Sequence, residues 1–176
     1  NLMIRMYDTT SGSVLIDGID VKDYKLVELR DKISLVLQKS ELFATSIAEN
    51  IRWGKPDATM EEVMEAASIA QANDYILEKP NGYDEIVEQK GSSLSGGQKQ
   101  RLSIARALVK DPEILILDDS LSAVDALTEA NIINQLKEYR KDKTNIIVAH
   151  RFSAVKNADK IIVLQNGEIT DVGTSK

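Results

Sequence analysis

Apolar positions along the chain fall into two rhythms. In the second half, residues 114–117, 145–148 and 160–164 are short, almost wholly apolar runs separated by segments of helical spacing. Runs of that kind are the pattern of strands buried on both faces, so the alternation predicts a parallel sheet covered by helices on both sides. The intervening helices are expected to start near Ser95, Asp125 and Phe152. Asn166-Gly167 predicts a two-residue hairpin turn into residues 168–172.

The first half reads differently. Residues 14–21 mix β-branched positions with a turn and predict strand pieces, followed by a short helix around 26–30 and an apolar strand at 33–37. Thr59, with Glu62 three residues on, is a capping box from which helical spacing runs through Val63, Ala66, Ala67 and Ala70. A further short helix is expected near Asn73, and Lys79-Pro80-Asn81-Gly82 interrupts the helical pattern with a turn. At the start, Leu2, Met3 and Met6 have no capping residue ahead of them and read as the interior of a helix, as of a chain cut open. The fold class is therefore α/β, with an antiparallel β piece in front and an inserted helical region.

Composition narrows the function classes. The 176 residues are 43% hydrophobic, enough for one domain with its own core. Twenty-two Lys and Arg stand against 28 Asp and Glu, a net of −6 with the signs intermixed, which argues against a nucleic-acid module built on clustered cations. With no cysteine there is no disulfide framework, thiolate metal site or Cys nucleophile. No apolar run approaches the ~20 residues of a membrane helix, and the start lacks the pattern of a signal peptide, so a membrane role is expected to pass through a partner.

Ligands of open α/β sheets sit at the carboxyl ends of strands, which singles out a few polar residues. Asp118 and Asp119 follow the run 114–117 side by side; alternation points them in different directions, one suited to Mg²⁺ and the other to a nucleophilic water. The plainer alternative makes Asp119 a cap for the turn at Ser120. His150, the sole histidine, follows residues 145–149 on the same edge, where it could hydrogen-bond a terminal phosphate or merely close a strand end. Gln38 stands at a fourth such position, after the strand at 33–37. Ser95-Gly96-Gly97-Gln98 opens a helix with Ser95 as N-cap and Gln98 completing a capping box, and its two glycines bare backbone N–H groups at the positive end of the dipole. That is an anion site by construction, or a flexible loop with a good cap.

Together these residues carry a resemblance. Leu94-Ser95-Gly96-Gly97-Gln98-Lys99-Gln100-Arg101 resembles the signature motif of ATP-binding cassette (ABC) proteins. Residues 114–118 resemble the Walker B strand, Leu121-Ser122-Ala123-Val124-Asp125 the D-loop, His150 the switch histidine and Gln38 the Q-loop glutamine. Residues 41–51 are similar to the segment that meets the coupling helices of the membrane-spanning domain in exporters. The resemblance implies a P-loop NTPase-like fold, with an ATPase core at about 1–40 and 111–176 and a helical subdomain at about 41–110 carrying the signature. It also implies ATP with Mg²⁺ as cofactors and head-to-tail pairing with a second nucleotide-binding domain. Ser95, Gly96, Gly97, Gln98 and Asp125 would then address nucleotide, the signature residues the partner's. Asp118 and Gln38 would serve Mg²⁺, and Asp119, His150 and Gln38 the chemistry at the chain's own site. The implied location is the cytoplasmic face of a membrane, that of a bacterial plasma membrane.

Three departures from the family pattern refine this. No G-x-x-x-x-G-K-[ST] loop occurs, and residues 1–8 resemble the helix that follows it, so the sequence is expected to begin after the Walker A loop and to bind ATP weakly on its own. Asp119 stands where the family places Glu, one methylene shorter, and hydrolysis at this site is expected to be slow. An intact signature beside an altered carboxylate is the pattern of the degenerate half of a heterodimeric, multidrug-type exporter. Glu88-Gln89-Lys90-Gly91 replaces the acidic-basic pair that exporters place before that glycine. The alternative function is a regulatory, non-hydrolytic ATP-binding half that acts as a platform for a catalytic partner.

Overall fold

Local chemistry builds the front of the chain. β1 (Leu15–Ile16) and β2 (Ile19–Asp20) pair antiparallel across Asp17-Gly18, whose φ angles of 52° and 77° suit a tight hairpin. α1 (Leu26–Lys32) leads directly into β3 (Ile33–Leu37). The helical region follows as α2 (Ile47–Arg52), α3 (Met60–Ile69) and α4 (Asn73–Leu77). α3 starts on the predicted box: the Thr59 hydroxyl accepts from the Glu62 N–H and the Glu62 carboxylate from the Thr59 N–H. α5 (Gly96–Val109), β4 (Ile114–Asp118), α6 (Ala126–Tyr139), β5 (Thr144–Val148), α7 (Phe152–Val155), β6 (Ile161–Gln165) and β7 (Glu168–Gly173) complete the order. This computed structural model describes residues 1–39 and 41–175; residues 40 and 176, at which two expected domain boundaries fall, lie outside them.

β3, β4 and β5 form a parallel sheet in that order. The register aligns Leu35, Ile116 and Ile146 on one face and Val36, Leu117 and Ile147 on the other. The first face packs with Ile16, Val21 and Leu29 from the front hairpin and α1. The second joins Leu102, Ile104 and Leu108 of α5 and Ile132 and Leu136 of α6, in a core that continues into α2, α3 and α4. The α/β class with helices on both faces is thus formed by burying the two alternating sides of short apolar strands.

Two expectations are corrected. The apolarity of residues 160–164 predicts a strand of the parallel sheet; β6 instead pairs antiparallel with β7. Asn166-Gly167, at φ 51° and 82°, closes that hairpin locally, and a short apolar run does not itself say which strand it will pair with. Residues 1–6 form turns rather than a helix. Their hydrogen bonds run from Arg5 N–H to Leu2 O and from Met6 N–H to Asn1 O, and Arg5 takes φ 52°, which breaks helical propagation.

Candidate functional site

Strand register decides which candidate residues meet. Leu37, Asp118 and Val148 lie level at the carboxyl edge of the sheet, so Gln38, Asp119 and Ala149 emerge together, with His150 one residue beyond. Asp119 turns away from the strand at φ 52° and donates its N–H to Val148 O at 2.9 Å. Aspartate tolerates that left-handed geometry better than most residues. The turn brings Asp119 and His150 into the wall of one cleft of about 220 Å³, shared with Ser120, Ser122 and Arg151. Asp118 and Gln38 stand exposed at the same edge but outside that cleft.

The second assembly is the amino end of α5. Ser95 Oγ accepts from Gln98 N–H at 3.2 Å, and Gln98 Oε1 accepts from Ser95 N–H at 3.0 Å. The helix start is fastened to the helical region from below. Tyr75 OH donates to Gln98 O at 3.0 Å, Arg101 lies over the Tyr75 ring at 4.6 Å, and Arg101 Nη1 donates to Gln71 O at 2.8 Å. Burial pushes the Tyr75 phenol well above its ordinary range, so it stays a neutral donor. Gly97 packs on the backbone of Ala123, in the turn between β4 and α6. Asp125 caps α6, accepting from Thr128 N–H at 2.9 Å and Thr128 Oγ1 at 2.7 Å.

A third cluster has no counterpart among the sequence motifs. Arg151, next to His150, donates to Leu121 O at 2.8 Å, to Val124 O at 3.4 Å and to the carboxylate of Glu129. Glu129 is 2% exposed and also accepts from Ser153 Oγ at 3.0 Å. Its spacing with Ile132 and Leu136 places a carboxylate on the buried stripe of α6, and that placement is the one signal the sequence offers for it. Gln100, likewise buried in register with Ile104 and Leu108 on α5, enters the sequence reading only as part of a motif.

The ABC transporter family model matches residues 1–122. This chain belongs to the ABC transporter family. Its fold is that of an ABC exporter nucleotide-binding domain: a solved structure described as a bacterial Atm1-family ABC exporter with ATP bound superposes with TM-score 0.95 at 40% identity. That match covers 99% of this chain and 31% of the other. A Bacillus subtilis (strain 168) protein named putative multidrug export ATP-binding/permease protein YgaD is 49% identical over 174 residues, 99% of this chain and 30% of its own length. A similarly named protein of Staphylococcus aureus (strain NCTC 8325 / PS 47) is 51% identical over 176 residues, again 30% of its length. The chain thus spans about 30% of these relatives.

Within this ABC domain, the segment that follows β3 and leads into α2 is pinned to α5. Asn50, 1% exposed, accepts from Phe43 N–H at 2.9 Å and donates to Phe43 O at 3.0 Å. Arg106 of α5 donates to Asn50 O at 2.9 Å and Glu41 O at 3.0 Å. That leaves Phe43 and Trp53, with ring centroids 4.3 Å apart, at the surface. Among the described residues no helix is long and apolar enough to cross a membrane. Nor does any group of three or more His, Cys, Asp or Glu gather there as a metal site. The donors at the sheet edge, the Asp118 carboxylate and the Gln38 amide, are hard oxygens in small number, which fits Mg²⁺ because it keeps most of its shell in water and phosphate oxygens.

Proposed function

We propose that this domain binds and hydrolyses ATP and drives transmembrane export by nucleotide-dependent dimerisation with a second nucleotide-binding domain. The observation that carries the reading is the pairing of Asp119 and His150 in one cleft at the carboxyl edge of the sheet. The capped amino end of α5, whose N–H groups suit a phosphate, supports it further. Asp119 would accept a hydrogen bond from the attacking water, and His150 would donate one to the terminal phosphate. Asp118 and Gln38 would hold Mg²⁺, which supplies neutralisation of phosphate charge when bound. Ser95, Gly96, Gly97 and Gln98, with Asp125, would address nucleotide, the signature residues clamping ATP held by the partner. Residues of about 1–40 and 111–176 form the ATPase core in this reading, and about 41–110 the helical subdomain.

The exposed Phe43 and Trp53 pair, on a segment fixed by Asn50 and Arg106, supports contact with a membrane-spanning domain at the cytoplasmic face of a bacterial plasma membrane. The shorter Asp119 supports pairing with a different subunit whose site turns over faster. The test is single-site hydrolysis in the full-length heterodimer with the partner's catalytic site disabled. Asp119→Glu should raise turnover at this site by about tenfold or more, part of the ~10²–10⁴-fold that a well-placed general base supplies; an unchanged rate overturns the assignment. The same Asp119 favours a second reading, a regulatory non-hydrolytic half, which predicts no turnover in that assay before or after substitution.

A further inference from the structure

Gln100 sits 7% exposed on α5, one turn inside the signature-like start, and its single carboxamide engages two other functional segments. Nε2 donates to Gln38 O at 3.3 Å and to Ser122 Oγ at 3.1 Å, and Oε1 accepts from Ala123 N–H at 2.9 Å. The orientation of the amide is decided by chemistry, because a backbone carbonyl must meet N–H and a backbone N–H must meet oxygen. One turn earlier on α5, Gly97 packs on the Ala123 carbonyl. Arg151, adjacent to His150, donates to Leu121 O and Val124 O of the same turn. Each of residues 121–124 is therefore engaged by a side chain belonging to α5 or to the His150 segment.

We propose that Gln100 is a positioning residue that joins the signature helix, the D-loop-like turn and the backbone at Gln38 into one unit, so that displacement of the amino end of α5 reaches both Gln38 and the Asp119 cleft. Here one amide spans from a helix facing the partner's nucleotide to two segments serving the chain's own. The catalytic consequence rests on the ATPase reading above; the mechanical one does not.

The test uses the full-length transporter with Gln100→Met, which keeps length but no hydrogen bonds, and Gln100→Glu. The glutamate still accepts from Ala123 N–H and from the Ser122 hydroxyl but cannot donate to Gln38 O. Without nucleotide, hydrogen exchange of the peptide spanning 121–124 should quicken about fivefold in Gln100→Met, the scale of one lost hydrogen bond, and stay near the unsubstituted rate in Gln100→Glu. With ATP, kcat should fall about tenfold in Gln100→Met at nearly unchanged KM, and Gln100→Glu should fall between. Unchanged exchange in Gln100→Met, or a folded Gln100→Met with unchanged kcat, overturns the proposal. If Gln100→Met does not fold, Gln100→Glu decides: an unaltered kcat overturns the link to Gln38. The exchange arm needs no ATP, so an unsubstituted transporter that fails to hydrolyse it would sink the functional reading alone and leave this proposal to the exchange result.

Discussion

The carbonyl oxygen of Ala123 lies 2.8 Å from the point a Cβ on Gly97 would occupy, so α5 and the turn after β4 meet backbone to backbone at that glycine. A side chain there must push the turn away. Gly97→Ala should destabilise the fold by about 1–3 kcal/mol, as overpacking does. Gly96 differs, since its Cβ would meet the Ala123 side chain at an ordinary 3.4 Å, and Gly96→Ala should cost no more than about 0.5 kcal/mol. Urea denaturation of both variants checks this, and equal losses would count against the packing account.

Glu129 offers a test of a half-buried ion pair. Glu129→Ala leaves the Ser153 hydroxyl without its acceptor and removes one partner of the Arg151 guanidinium, which keeps Leu121 O and Val124 O and, with its side chain 44% exposed, recovers part of the loss from water. The expected cost is about 1.5–3 kcal/mol in chemical denaturation, the range for hydrogen bonds to charged groups. Glu129→Gln, which can still accept from Ser153, should lose less.

Ser120 is fully buried and its hydroxyl finds no hydrogen-bond partner among the described residues. An unsatisfied buried hydroxyl costs roughly 1–3 kcal/mol, so Ser120→Ala should raise stability by a comparable amount. A lower denaturation midpoint in that variant would show that the hydroxyl is satisfied after all.

Asp125 predicts a pH dependence. Hydrogen bonds from the Thr128 N–H and then the Thr128 hydroxyl hold its carboxyl below the ordinary aspartate value of 3.8. A lowered folded pKa means the unfolded chain takes the proton first. The stabilisation is therefore complete above the ordinary aspartate range and is lost as pH falls through the depressed folded value. The stability advantage over Asp125→Asn should hold constant from pH 7 to 5 and shrink below about pH 4. A difference that stays flat down to pH 3 would contradict it.

Features written within a few residues are legible in the amino-acid sequence alone. Ser95 with Gln98, Thr59 with Glu62, and Asn166 with Gly167 each encode a cap or a turn whose partners are three residues apart or fewer, so local stereochemistry suffices. The positions of the candidate residues Asp119, His150 and Gln38 just past strand ends are legible too, because each directly follows an apolar run or stands one residue further on.

Long-range pairing is decided only by the folded chain. The apolar run at 160–164 reads like the parallel strands 114–117 and 145–148, and only the fold sets it apart from the β3-β4-β5 sheet, paired with β7. The meeting of Asp119 with His150 depends on the register of β4 against β5. Gln100 and Glu129 look like ordinary polar residues in helices until burial removes water from their amide and carboxylate, after which each must find protein partners. Those partners lie 22 to 62 residues away, beyond the reach of any local pattern, and the packing of α5 and α6 on the sheet selects them.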